Sequence, residues 1–351
     1  MGSSGTDSCS SRRILQIHPT RKCNLRCVHC YSESGPQARE QLPLQLVLDL
    51  LDHAVAEGYD VAGFSGGEPT LYPHLVKAVD HAHGLGMITT VTSNGTTLNR
   101  RLLERLTDTL SLLAISVDGV PESHNTIRAS PSAFDRMESK LALLRDSGIK
   151  FGFIFTLTRY NLDELFWVAD FALHWGASLL QVHPLEMAGR ARTEIKDEDP
   201  DATELAVGFL AVTKLQQTIG TKLLFQLDAS DRDVLRDQPH RVLGSGHDVE
   251  RALPLVEYVN PLIVESDGLV IPVRHGMGRW CSLGSLYDAP LRDLKSRWLR
   301  SGYPAFQKLR EDTLADLLND DRAALPFFNW HDTLARRSAE AFPFPDALTT
   351  G

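Results

Sequence analysis

Cysteine is scarce in this chain, with five in 351 residues, and three of the five fall within eight positions. A secreted domain of stapled loops needs cysteines spread in pairs. This distribution excludes such a framework and fits a reducing cytoplasm, where thiolates stay available for metal. Long apolar runs are missing too: none reaches the ~18 residues of a membrane span, and no basic stretch followed by an apolar core marks a secretory signal. Met1-Gly2-Ser3-Ser4-Gly5-Thr6 fits the myristoylation pattern letter by letter, but it reads better as part of a disordered start over residues 1–11. No block of basic residues stands out, and the formal net charge is −9. Nucleic-acid surfaces are built from clustered Lys and Arg, so neither a nucleic-acid nor a membrane partner is expected. What remains is a chain that is 42% hydrophobic and long enough to bury a sizeable core.

The three clustered cysteines are Cys23, Cys27 and Cys30, in a C-x3-C-x2-C run. A [4Fe-4S] cluster normally takes one thiolate per iron, about four in all. A local triplet with no fourth partner leaves one iron open to bind and activate a ligand. The alternative is a zinc site with His18 or His29 as fourth ligand, although structural zinc favours closed four-ligand sites, often from two separated cysteine pairs. Idle thiols are the third possibility.

Periodicity places the triplet. Apolar runs at 14–17, 61–64, 87–92, 112–117, 151–157 and 179–184 predict six strands. Between them, helical spacing such as Leu44, Val47, Leu48, Leu51 and Val55 predicts helices. Strand–helix repeats of this kind imply a parallel sheet whose right-handed crossovers curl it into a barrel or part of one. The cysteine loop follows the first strand. Ser65-Gly66-Gly67-Glu68-Pro69, Thr92-Ser93-Asn94-Gly95 and Ile115-Ser116-Val117-Asp118-Gly119 close the second, third and fourth. All lie at the C-terminal ends of strands, the face where such barrels carry their sites. Past residue 220 the pattern weakens. A strand at 223–227, a hairpin from 257–264 and 269–273 turning at Asp267-Gly268, and partial helix over 285–299 are the readable pieces.

These motifs together resemble the radical S-adenosylmethionine (SAM) superfamily, including its SPASM/Twitch branch. The resemblance rests on C-x3-C-x2-C followed by Tyr31, on the GGEP-like Gly66 to Pro69, on the third- and fourth-strand ends, and on His124-Asn125 with Arg128, similar to the H-D-x-x-R stretch of peptide-modifying members. It covers residues 12 to 190 well. It implies an α/β fold, a partial (β/α)6 TIM-type barrel over residues 12–220, with a small α+β extension over 221–351 covering the substrate side. It further implies one [4Fe-4S] cluster on Cys23, Cys27 and Cys30, whose open iron chelates SAM. Reductive cleavage then yields a 5′-deoxyadenosyl radical that abstracts hydrogen from the substrate.

By the same resemblance, Gly66, Gly67 and Glu68 hold the SAM amino group and Ser116 contacts SAM. Ser93, Asn94 and Asp118 lie near the ribose or substrate, Arg128 binds the SAM carboxylate, and Val182, beside Gln181, His183 and Glu186 on strand six, lies near the adenine. Each has an ordinary alternative as a turn former, a surface ion pair or a structural histidine. The 267–286 stretch resembles a SPASM or Twitch extension from which the auxiliary-cluster cysteines are gone. Cys281 alone remains, either an inert thiol or a hydrogen-atom donor to a substrate radical. Three functions are open: modification of a ribosomally made peptide in natural-product biosynthesis; decarboxylation, epimerisation or dehydration of a small molecule; and non-catalytic zinc or iron–sulfur binding. The short stretch ahead of Cys23 leaves no room for a leader-binding domain, so a peptide substrate implies a separate leader-peptide-binding protein or recognition by the C-terminal region. An electron donor such as flavodoxin or ferredoxin is the other expected partner.

Overall fold

The computed structural model describes residues 12–244, 253–319 and 325–341; the expected disordered start at 1–11 lies outside them. Twelve strands are present among the described residues: β1 (Ile14–Ile17), β2 (Val61–Phe64), β3 (Ile88–Ser93), β4 (Leu112–Ser116), β5 (Phe151–Leu157), β6 (Leu179–Pro184), β7 (Leu224–Leu227), β8 (Ser230–Asp231), β9 (Leu262–Val264), β10 (Leu269–Pro272), β11 (Gly284–Ser285) and β12 (Phe327–Phe328). The helices that cover the sheet and lead into its site are α1 (Leu44–Ala56), α2 (Leu75–Gly84), α3 (Arg100–Leu106), α4 (Pro121–Ile127), α5 (Ala133–Asp146), α6 (Leu165–Trp175), α7 (Ala191–Glu194) and α8 (Ala202–Ile219). Helices over 291–301, 303–318 and 330–341 follow.

The six expected strands all form, in parallel and in sequence order. The sheet does not stop there. β7 adds a seventh parallel strand beside β6, and β9 pairs in parallel with β1 on the opposite side, matching Leu15 to Leu262 and Ile17 to Val264. Antiparallel β10 and β11 complete a ten-stranded sheet running β11-β10-β9-β1-β2-β3-β4-β5-β6-β7. Both β7 and the β9–β11 group come from beyond residue 220. This is the partial TIM-type barrel, open between β7 and β11 among the described residues.

Helix faces follow the apolar spacing. In α1, Val47, Leu50, Leu51 and Ala54 are buried, a stripe at i, i+3, i+4 and i+7. α8 opens on a capping box in which Asp201 accepts from the Thr203 N–H and Glu204 accepts from the Asp201 N–H. The core between helices and sheet is aromatic around β5, where Phe153 is fully buried with Phe151 and Phe171 against its ring.

The hairpin differs in detail from its sequence reading. Its first strand is only Leu262–Val264, because Pro261 lacks the N–H a ladder needs and residues 255–257 wind into a 3-10 turn instead. Its second strand ends at Pro272, where Val273 turns into the left-handed region at φ 68°. That turn aims Arg274 back into the barrel. Truncating the core at Phe153→Ala should cost about 3–5 kcal/mol, read as a lower midpoint in urea unfolding; a loss under about 1 kcal/mol would mean that this layer does not support the barrel.

Candidate active site

The loop after β1 has little regular structure, so its backbone groups are satisfied by neighbours. Gly67 N–H donates to Thr20 O and Glu68 N–H to Lys22 O, each at 2.9 Å, and Val28 N–H donates to Ile127 O at 3.0 Å. Cys23, Cys27 and Cys30 gather with Leu25 in one small apolar nest facing a cavity of about 590 Å³. Burial pushes the Cys23 thiol up to about 12 and raises that of Cys27 as well. A thiolate there needs a compensating cation, which a metal supplies. Donors already aim at the sulfur atoms: Leu25 N–H and the Asn94 amide at 3.4 and 3.9 Å from Cys23 Sγ, and Arg128 Nη1 at 3.8 Å from Cys27 Sγ.

The residues fit a cluster better than a single ion. Among the described residues, no three His, Cys, Asp or Glu side chains are grouped so as to hold one metal ion. Zinc needs its ligands converging at about 2.0–2.3 Å, whereas a [4Fe-4S] cluster seats each thiolate on a different iron. His18, one proposed zinc ligand, lies instead 3.2 Å from the Gln16 amide and 3.4 Å from the Tyr31 hydroxyl.

The ends of β2 to β4 meet this loop. The two glycines are needed for close approach to it: a Cβ on Gly67 would lie 2.4 Å from Lys22 O, and one on Gly66 2.7 Å from the His18 Cβ. Both line the cavity, as do Glu68, Ser93, Asn94, Ser116 and Arg128. Glu68 is 1% exposed, and its carboxylate ties β2 to β3 by accepting from Thr70 Oγ1 at 2.7 Å, Ser93 Oγ at 2.8 Å and the Asn94 N–H at 2.8 Å. Burial raises its pKa while those donors oppose the shift. Asn94 donates to Asn24 Oδ1 and accepts from Thr96, so it braces the cysteine loop.

Three predicted site residues are placed elsewhere. Asp118 is fully buried and does not line the cavity; its carboxylate takes Arg128 Nε at 2.6 Å and the Thr156 N–H at 3.2 Å. Burial opposes its ionisation, but the Arg128 guanidinium outweighs this and holds the carboxyl well below its usual range. Asp118 therefore orients Arg128. Val182 is fully buried with its side chain toward the helices, because successive strand residues point to opposite faces and Gln181 and His183 take the cavity side. Cys281 is fully buried in the main apolar core, away from the cavity, and burial pushes its thiol up to about 12. A hydrogen-atom donor must meet substrate, so this position supports the inert reading.

The far wall joins Gln181, His183 and Glu186, singled out in the sequence, to Asp228, Arg274 and Asp332, which sequence reasoning missed. His183 sits between Asp228 Oδ2 at 2.8 Å and Glu186 Oε1 at 3.1 Å. Gln181 donates to Asp228 at 2.6 Å, and Arg274 joins Glu186 and Asp332, each at 3.0 Å. Burial disfavours charge on His183, but the two carboxylates prevail and push it up to about 10. Asp228 follows β7 and Arg274 follows β10. No motif marks them, and both lie just past the strand ends where alternation stops.

With this geometry in view, the class is legible. Residues 17–172 match the family model described as Radical SAM superfamily. The matched stretch, which runs from β1 into α6, is thus similar to the domain of the radical SAM superfamily, whose members use a [4Fe-4S] cluster and SAM. More particularly, the chain is 30% identical over 193 residues to the Fe-coproporphyrin III synthase of Methanosarcina barkeri, covering 54% of this chain and 48% of that one. It is 26% identical to the PqqA peptide cyclase of Xanthomonas campestris pv. campestris over 64% of this chain and 60% of that one. Its fold matches Streptococcus suis SuiB bound to SAM at a TM-score of 0.66 and 17% identity, over 85% of this chain and 68% of that one. The chain spans about half the length of the curated relatives it matches first.

The His183 arrangement makes a signed prediction. Folding favours its charged form, so its contribution is complete below pH 6.5 and is lost as pH rises toward 10. Wild type should therefore lose more stability than His183→Gln between pH 6.5 and 10 in paired urea titrations; equal losses would mean that the imidazolium is not held. Cys281→Ala should lower stability by about 1–3 kcal/mol through the cavity it leaves, with SAM cleavage and product unchanged by chromatography.

Proposed function

We propose that this protein is a radical SAM enzyme that abstracts a hydrogen atom from a substrate seated between the cysteine loop and the β6–β7 wall, and that its substrate is a ribosomally made peptide. One observation carries the reading: the thiol triplet, the glycine-bearing end of β2 and the polar wall line a single cavity. Cys23, Cys27 and Cys30 would hold the cluster, and Gly66, Gly67, Ser116 and Arg128 line the space where SAM would lie. When bound, cluster and SAM supply the reducing electron and the 5′-deoxyadenosyl radical that performs the abstraction. The protein's own part is positional. Asp118 aims the planar fork of Arg128 into the cavity, where a carboxylate is its natural partner. Glu68 locks β2 and β3 so that the two sides of the site keep their spacing. Enclosure by protein strengthens each of these interactions by keeping water out.

The likeness to PqqA peptide cyclase supports a peptide, as does the resemblance of His124-Asn125 and Arg128 to the peptide-modifying branch. The 30% identity to Fe-coproporphyrin III synthase favours a second reading, a small-molecule substrate. The cavity volume lies within the range of ordinary small-molecule sites, about 300–1,000 Å³. No helix of the described residues is long and apolar enough to cross a membrane, and scarce cysteines fit the cytoplasm. A flavodoxin- or ferredoxin-like donor completes the proposal, with a separate leader-binding protein if the substrate is a peptide.

Anaerobic reconstitution should load about four iron and four sulfide per chain, and dithionite with SAM should release 5′-deoxyadenosine. Cys27→Ala should lose both. Zinc alone with no SAM cleavage would sink the proposal. A precursor peptide encoded beside the gene should gain a mass change on turnover; turnover of a small molecule with no such peptide would select the second reading.

A further inference from the structure

We propose that Gly189 and Arg190, on the loop after β6, clamp the cysteine loop and set the positions from which Cys27 and Cys30 present their thiolates. The inference rests on reading the triplet as a cluster-binding loop. Arg190 is the positioning residue. Its backbone N–H donates to Cys30 O at 3.0 Å, its Nε to Cys27 O at 2.9 Å and its Nη2 to Ser34 O at 2.8 Å. One residue thus grips the carbonyls of two of the three candidate ligands, from a segment 163 positions away in sequence. Gly189 makes that reach feasible. Its φ is +54°, and a Cβ there would fall 2.4 Å from Tyr31 O and 2.6 Å from Cys30 O, so any side chain would push the two loops apart.

The cysteine loop has two such supports. On the β2 side, Gly67 approaches Lys22 O as closely as Gly189 approaches Tyr31 O, 2.4 Å in each case for the built Cβ. On the β6 side, the grip is by a cation. A guanidinium fork can bond two carbonyls with fixed geometry, which a lysine ammonium cannot. Arg190 also lines the cavity that Cys23, Cys27 and Cys30 line, so its positive charge faces the same space. It would favour the more negative, reduced state of a cluster they hold. The clamp therefore joins the substrate wall, which begins on β6, to the cofactor loop, which begins on β1.

The test uses the full chain, anaerobically reconstituted, as wild type, Arg190→Met and Arg190→Lys. Iron and sulfide content, the EPR spectrum of the dithionite-reduced cluster, its midpoint potential and the melting temperature of metal-free protein are measured. Met should lower iron loading and slow reductive SAM cleavage roughly tenfold, the scale for losing a ligand's supporting partner. It should also shift the EPR g-values and move the potential negative while metal-free protein melts within a few degrees of wild type. Lys keeps the charge without the fork, so it should recover the potential more than the loading. Full loading of the Met variant with a wild-type spectrum and potential overturns the clamp. So does a Met variant whose loading loss is accompanied by collapse of the metal-free fold, with Lys rescuing neither. A wild-type protein that loads no cluster overturns the cluster reading itself, which separates the two failures.

Discussion

Three thiolates must be offered from a loop that has almost no secondary structure of its own, and the rest of the site is arranged around that constraint. A loop of this kind cannot satisfy its backbone internally. Here the end of β2, the end of α4 and the loop after β6 supply the missing partners: Gly67 and Glu68 through N–H groups, Ile127 through its carbonyl and Arg190 through its guanidinium. Close packing at two glycines makes the contacts short enough to work. The barrel is thus less a container for the site than a frame that fixes the far ends of these contacts.

Burial sets the electrostatics within that frame. The cavity walls carry Arg128, Arg274, His183, Glu186 and Asp228, groups that cost several kcal/mol each to desolvate unless paired. Arg128 answers Asp118, Arg274 answers Glu186 and Asp332, and His183 lies between two carboxylates. The buried thiols of Cys23 and Cys27 stand out because burial drives them toward the neutral form, with Arg128 the cation nearest Cys27. A bound cluster resolves that imbalance. The same enclosure that penalises bare thiolates also shelters a radical from water, which connects the loop's burial to the chemistry proposed for it.

Much of the first half was legible from sequence because its signals are local. Strand alternation and helical spacing are short-range patterns, and all six strands appear at the predicted places within a residue or two. The motif glycines were legible as special, but their reason was not. They were expected to let backbone approach a ligand, whereas the structure uses them first to let β2 approach the cysteine loop. Asp118 and Val182 were placed on the ligand side by motif position alone. Motif position carries no side-chain direction: Val182 follows the two-residue alternation of β6, and Asp118 spends its carboxylate on Arg128. For Cys281 the sequence leaves an inert thiol and a hydrogen-atom donor both open, because it carries no information about depth.

The sequence by itself determined the local donor sets, the C-x3-C-x2-C triplet and the GGEP-like edge, and their resemblance to the radical SAM superfamily implied the cofactors. It also determined the parallel barrel, through repeated strand–helix periodicity. Only the tertiary structure decided which residues face one another across the cavity. Arg190 reaching Cys27, β9 lying beside β1, and His183 meeting Asp228 all join segments tens to hundreds of residues apart. Such contacts are fixed by packing and by the need to pair buried charge, and no short-range pattern in the chain encodes them.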